Sequence, residues 1–166
     1  RCIHPGASYP EPLMKLSVRS EYGLRALLAL ASHPRETWLS VQSIASAQNL
    51  PRRFLEQILH DMRQAGLVES RRGVAGGYRL AQPPEQVSLS RVIRHFDGPL
   101  SPIGCVDSPS NIPCSCPDPE RCPLRSVMGQ VRDAMASLLD TMTVADLHER
   151  GLQLLQNPRR VVDFTI

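Results

Sequence analysis

Apolar positions recur along the first two thirds of this chain with the period of a helix. Over residues 17–32, Leu24, Leu27, Leu28 and Ala31 fall on one helical face, and His33-Pro34 ends the run. A second, shorter helix starts at Ser40, a favourable N-cap, carries Ile44, Ala45 and Ala47, and breaks at Gln48-Asn49. Pro51 suits the first turn of a third helix. Its Leu55, Ile58, Leu59 and Met62 form an i, i+3, i+4, i+7 stripe, and Gly66 closes it. Two β-like runs follow, residues 67–70 and 78–81, joined by residues 71–77. Pro83-Pro84 ends that hairpin, and a fourth helix over 88–96 places Leu89, Val92, Ile93 and Phe96 inward. Helix, short helix, turn, helix, β-hairpin is the order of a winged helix-turn-helix, so the expected fold is mainly α with a small β-hairpin wing.

Residues 99–123 lose all periodicity and are rich in proline, which predicts a loop. A long helix is expected over 124–142. Leu124, Met128, Val131, Met135, Leu138 and Met142 are spaced +4, +3, +4, +3, +4 along it, a heptad seam suited to pairing with a second copy. The alternative is one buried helix in a monomer. Thr143 can cap a short last helix over 144–150. Residues 1–13 are patternless and read as a disordered or artificial extension, and residues 151–166 as a flexible tail. Between them lie a DNA-reading domain (14–98), a cysteine-rich loop (99–123) and a dimerisation helix with its cap (124–150).

Hydrophobic residues make up 42% of the chain and aromatics 4%, so the core is mainly aliphatic. The formal charge of +3 is small, but it is unevenly placed. Residues 14–98 carry twelve Lys/Arg against seven Asp/Glu, and the rest of the chain is net acidic. Such a distribution offers one basic end to phosphate. No apolar run approaches the roughly 20 residues that span a bilayer, and a cytoplasmic protein with no membrane and no small-molecule substrate is expected.

The third helix turns Arg52, Arg53, Glu56, Gln57, His60 and Arg63 away from its apolar stripe. In a helix-turn-helix, the N-terminal residues of that helix meet base edges in the major groove. Arg pairs with guanine, Gln with adenine, and Glu accepts from cytosine. An ordinary solvated face is the alternative. The hairpin tip decides between them, since Arg71-Arg72-Gly73 and Gly76-Gly77-Tyr78 combine two cations with glycines able to approach a minor groove closely.

Four cysteines, Cys105, Cys114, Cys116 and Cys122, fall within eighteen residues of the loop. Thiols kept reduced in a cytosol are better read as ligands or redox sensors than as disulfides. The density points to a soft metal or an iron–sulfur cluster. A zinc site or a thiol–disulfide switch without a cluster is the competing reading, although paired Cys-x2-Cys elements are missing. No nucleophile triad or phosphate loop appears, and His33, His60, His95 and His148 are scattered, so an enzyme is not expected.

Residues 14 to about 147, four fifths of the chain, resemble the IscR/NsrR-type regulators of the Rrf2 superfamily. The matching text is Met14-Lys15-Leu16-Ser17, then Glu21-Tyr22-Gly23-Leu24-Arg25-Ala26-Leu27, Phe54-Leu55-Glu56-Gln57-Ile58-Leu59 and Gly66-Leu67-Val68. It continues with Arg72-Gly73, then Gly76-Gly77-Tyr78-Arg79-Leu80, the cysteine loop and the long helix. The resemblance implies a homodimer joined through the long helix on a two-fold symmetric operator, with reading helices about 34–36 Å apart or a multiple of that. It implies Arg53, Phe54, Glu56 and Gln57 at base-reading positions and Arg72 in the wing.

It also implies a cluster, [2Fe–2S] or [4Fe–4S], on three cysteines, the last two separated by five residues. Cys116 and Cys122 have that spacing, and Cys105 would be the first, across a longer gap than the family's. Cys114 is an extra thiol that could replace Cys116. Where some members place a histidine ligand three residues after the last cysteine, this chain has Arg125. Others use a carboxylate seven residues after the first methionine, which here is Glu21, from the same or the opposite subunit. A solvated helix carboxylate is the alternative for Glu21.

Overall fold

The structure, a computed structural model, describes residues 16–73, 75–106 and 116–156. The expectations for residues 1–13, for Cys114 and for residues 157–166 lie outside them. In order, the chain forms α1 (Val18–Ala31), α2 (Val41–Gln48), α3 (Arg52–Gln64), β1 (Val68–Arg71), β2 (Gly77–Leu80), α4 (Leu89–Asp97), α5 (Pro123–Thr141) and α6 (Val144–Gln156). Single 3₁₀ turns lie at Pro84–Gln86 and Gly104–Val106.

The helix starts follow local chemistry. Ser17, Ser40 and Ser88 stand at three N-caps, and their hydroxyls accept from the backbone N–H of Ser20, Ser43 and Arg91. Asn49 ends α2 in the left-handed region at φ 50°, which its short polar side chain tolerates. Pro51 stands at the N-cap of α3, one residue ahead of the first turn expected for it.

All four stripe residues of α3, Leu55, Ile58, Leu59 and Met62, are fully buried. Leu27 of α1, Ile44 of α2 and Val92 of α4 meet them, and Leu67, Val68 and Leu80 close the core beneath the hairpin. Trimming one such Leu, Ile or Met to Ala would cost about 2–5 kcal/mol. β1 and β2 are antiparallel, with Glu69 opposite Arg79 and Arg71 opposite Gly77.

α6 differs from expectation. It does not end at residue 150 but runs through Gln156, so the flexible tail cannot begin at 151. Gly151 costs a helix interior only about 1 kcal/mol, and no proline intervenes before Pro158. The start of α6 is part of the core. Val144 is fully buried, its N–H donates to the Val87 carbonyl (2.9 Å), and the Leu89 N–H donates to the Met142 carbonyl (2.8 Å). Thr143 caps it as expected: its N–H and hydroxyl donate to Asp146 Oδ2, and its Oγ1 accepts from the Asp146 N–H. By contrast, no residue of α5 is buried. Of its heptad seam, Leu124 and Leu138 are exposed while Met142 turns onto the core.

Candidate nucleic-acid interface and cysteine loop

The α3 residues expected to read DNA are divided by their neighbours. Arg52 pairs with Glu56 on the next turn (3.0 Å), and Arg63 donates to the Ser70 hydroxyl of β1 (3.3 Å). Phe54 is half-buried against the core with its ring edge-on to Tyr22, 5.7 Å between centroids. Gln57 is exposed, and His60 faces Gln64 at 2.9 Å. Arg53 is exposed, and its guanidinium makes no hydrogen bond or ion pair among the described residues.

In the wing, the two arginines differ. The Arg71 guanidinium lies over the Trp38 ring and donates to the Ala75 carbonyl. Arg72 is exposed and, among the described residues, its side chain has no partner. The glycines have internal reasons to be there. A Cβ on Gly77 would lie 2.3 Å from the Leu39 carbonyl oxygen, and one on Gly76 would lie 2.2 Å from that of Arg71. Tyr78 is half-buried and exchanges two backbone hydrogen bonds with Leu39, 2.8 and 2.9 Å. Trp38 lies outside every periodic run; its signal is that it is the chain's sole tryptophan, two residues ahead of the Ser40 cap.

The cysteine loop is tied to α5 at both sides. Cys122 is the N-cap residue of α5, with Pro123 at its first position. The Sγ atoms of Cys116 and Cys122 are 3.7 Å apart. Asp118 Oδ1 shapes the turn between them by accepting from the N–H groups of Glu120 (3.2 Å) and Arg121 (3.1 Å). Arg125 donates to the Pro119 carbonyl (3.3 Å), so this residue braces the turn. Cys105 lies in the 3₁₀ turn Gly104–Val106, and Arg132 of α5 donates to the Val106 carbonyl.

Cys122 and Arg132 are separated by roughly 15 Å of helix axis. Val106, the residue after Cys105, is thereby tied to the middle of α5, whereas Cys122 stands at its start. Glu21 is exposed on α1, where it pairs with Arg25 (3.2 Å). Among the described residues, no group of three or more His, Cys, Asp or Glu side chains converges as a metal site. Cys116 and Cys122 thus come together, and among the described residues neither Cys105 nor Glu21 joins them in a group of three. The pair itself fits a shared metal ion, since two thiolates each about 2.3 Å from a tetrahedral ion sit nearly 4 Å apart.

Among the described residues no helix is long and apolar enough to cross a membrane. Residues 16–150 match the Rrf2 family model, described as iron-dependent transcriptional regulator. The chain is 38% identical over 140 residues to an rrf2-like protein of Rhodobacter capsulatus, covering 82% of this chain and 93% of that one. The solved structure of CymR, the global cysteine regulator of B. subtilis, superposes with a TM-score of 0.69 at 34% identity, over 82% of this chain and 98% of that one. IscR of T. potens gives 0.65 at 30% identity, over 83% and 88%. The winged helix-turn-helix order, the basic α3 and wing, and these matches agree: the chain belongs to the Rrf2 family of transcriptional regulators, whose members are not enzymes.

Proposed function

We propose that this regulator grips double-stranded DNA as a cytoplasmic homodimer and that an iron–sulfur cluster held by its cysteine loop tunes the grip. The observation that carries the reading is the approach of Cys116 and Cys122 to 3.7 Å at the start of α5. A pair at that distance suits two thiolates on one iron, as in a [2Fe–2S] cluster. Cys105, or Cys114 in place of Cys116, would add a third thiolate. Glu21 would add an oxygen ligand, from the same or the partner subunit. Bound there, the cluster would supply iron–thiolate bonds sensitive to oxidation, to nitric oxide and to iron supply.

The rest of the reading rests on the chain's own residues. Arg53 and Gln57 lie at the exposed start of α3, and Arg72 at the wing tip, where uncommitted cations can meet base edges and phosphate. On α5, Leu124, Val127 and Leu138 are each more than half exposed in the single chain. A second α5 would cover them. The loop joins α4 to α5, so ordering it can bias how two reading helices are spaced.

The same pair of sulfurs favours a second reading, zinc or a disulfide, since a bond needs them to close only to about 2.05 Å. Anaerobic purification separates the two. The cluster reading expects coloured protein containing iron and acid-labile sulfide, with both lost in Cys122→Ser. Colourless protein holding zinc, or no metal, would replace it.

A further inference from the structure

The wing leans on the segment that enters α2. Trp38 is half-buried in the segment entering α2, and the guanidinium carbons of Arg71 and Arg79 lie 4.8 and 4.5 Å from the centre of its ring. The strand register explains why both reach it. Glu69 faces Arg79, Arg71 faces Gly77, and residues two apart in a strand share a side. Arg79 is held in turn by Glu69 at 2.7 Å. The next residue, Leu39, is bonded to Tyr78 in both directions, and the bare backbone of Gly77 lets Leu39 pass.

A two-stranded hairpin is barely stable alone in water. Its direction relative to α3 therefore depends on what it leans against, and α3 and the wing must meet one duplex together. An arginine within about 6 Å of an indole centre is held by the ring's charge distribution. Arg71 is also committed to the Ala75 carbonyl.

We infer that Trp38 is a positioning residue for DNA reading: it locks Arg71 and Arg79 as struts that aim the wing and leaves Arg72 to carry charge to the duplex. This rests on the wing meeting DNA, as proposed above. Two neighbouring arginines then do different jobs, one inside the protein and one outside.

The test uses the full chain and a duplex of about 30 base pairs selected from a random pool by the wild-type protein, long enough for two half-sites. Affinity is measured across salt concentrations for W38A, W38F, R71Q, the W38A/R71Q double variant and R72A. W38A and R71Q should each weaken binding about tenfold, and the double variant no further than W38A, because the contact R71Q removes is already gone in W38A. W38F should stay within about threefold, since a ring remains. The salt slope should be unchanged in W38A and R71Q but fall by about 0.9 in R72A.

Should R71Q lower the slope as R72A does, and add to W38A, Arg71 touches phosphate directly and the inference is wrong. Wild-type affinity in W38A would overturn it too. Full affinity and slope in R72A would instead remove the wing reading beneath it. If W38A fails to fold, R71Q and W38F decide the matter by the same slopes.

Discussion

Arg94 of α4 holds the Asp140 carboxylate of α5 through two hydrogen bonds, 2.6 and 3.4 Å, and among the described residues this is the one ion pair between those helices. The DNA-reading half and the long helix are thus joined by charge as well as by chain. The Arg94 guanidinium, assisted by Ser90, holds the Asp140 carboxyl below its ordinary value of 3.8. Thr143 does the same for Asp146 at the start of α6.

A carboxyl with a depressed folded pKa adds stability above its ordinary value and loses it as pH falls through the folded one. Asp140→Asn should therefore lower the Tm slightly at neutral pH and not at all well below pH 3.8. Thermal melts of both proteins at the two pH values check this. An equal deficit at both would show that packing, not charge, links the helices.

Gly77→Ala should destabilise the chain by about 1–3 kcal/mol, because a methyl group there meets the Leu39 backbone, which is not free to move aside. Gly73→Ala places its methyl in open space and faces only its positive φ of 105°, so it should cost about 1 kcal/mol. Urea unfolding of both variants measures the difference, and the reverse order would contradict the wing packing.

Arg53→Ala should cost about 1–3 kcal/mol on a selected duplex and relax preference at one base position. Arg52→Ala should matter less, since Arg52 is occupied by Glu56. Competition binding with single-base variants of the duplex tests the pair. Equal losses would mean that the Arg52–Glu56 contact gives way on DNA.

Leu138→Glu puts a charge on the exposed side of α5. The dimer reading expects it to sediment as a monomer at concentrations where the wild type is paired, with the secondary structure by circular dichroism unchanged. A persistent dimer would mean that another surface joins the subunits.

How much of this was legible beforehand follows from what each feature depends on. The α3 stripe and the Ser40 cap are local, so periodicity and side-chain chemistry mark them, and the starts of α1 and α4 fall within a residue or two of the expected ranges. The family text was legible for the same reason. The clasp of Arg71 on Trp38 spans thirty-three residues of sequence and leaves no periodic trace. Nor did a tip with two adjacent cations reveal that one of them is engaged internally. The continuation of α6 past residue 150 has no periodic signal of its own, and its first turn is held by contact with α1 and the start of α4. The cysteine-rich loop is plain in the composition, and two of its thiols, Cys116 and Cys122, do meet. The bond from Arg132 of α5 to the carbonyl of Val106, next to Cys105, is a tertiary contact that cysteine spacing does not encode.

The most direct test compares DNA affinity on one selected duplex for anaerobically purified protein before and after its metal is stripped by oxidation and a chelator. The account predicts a change of about tenfold or more, the size of an ordinary coupling between two sites. Equal affinity in the two states would contradict it, whatever the colour of the protein.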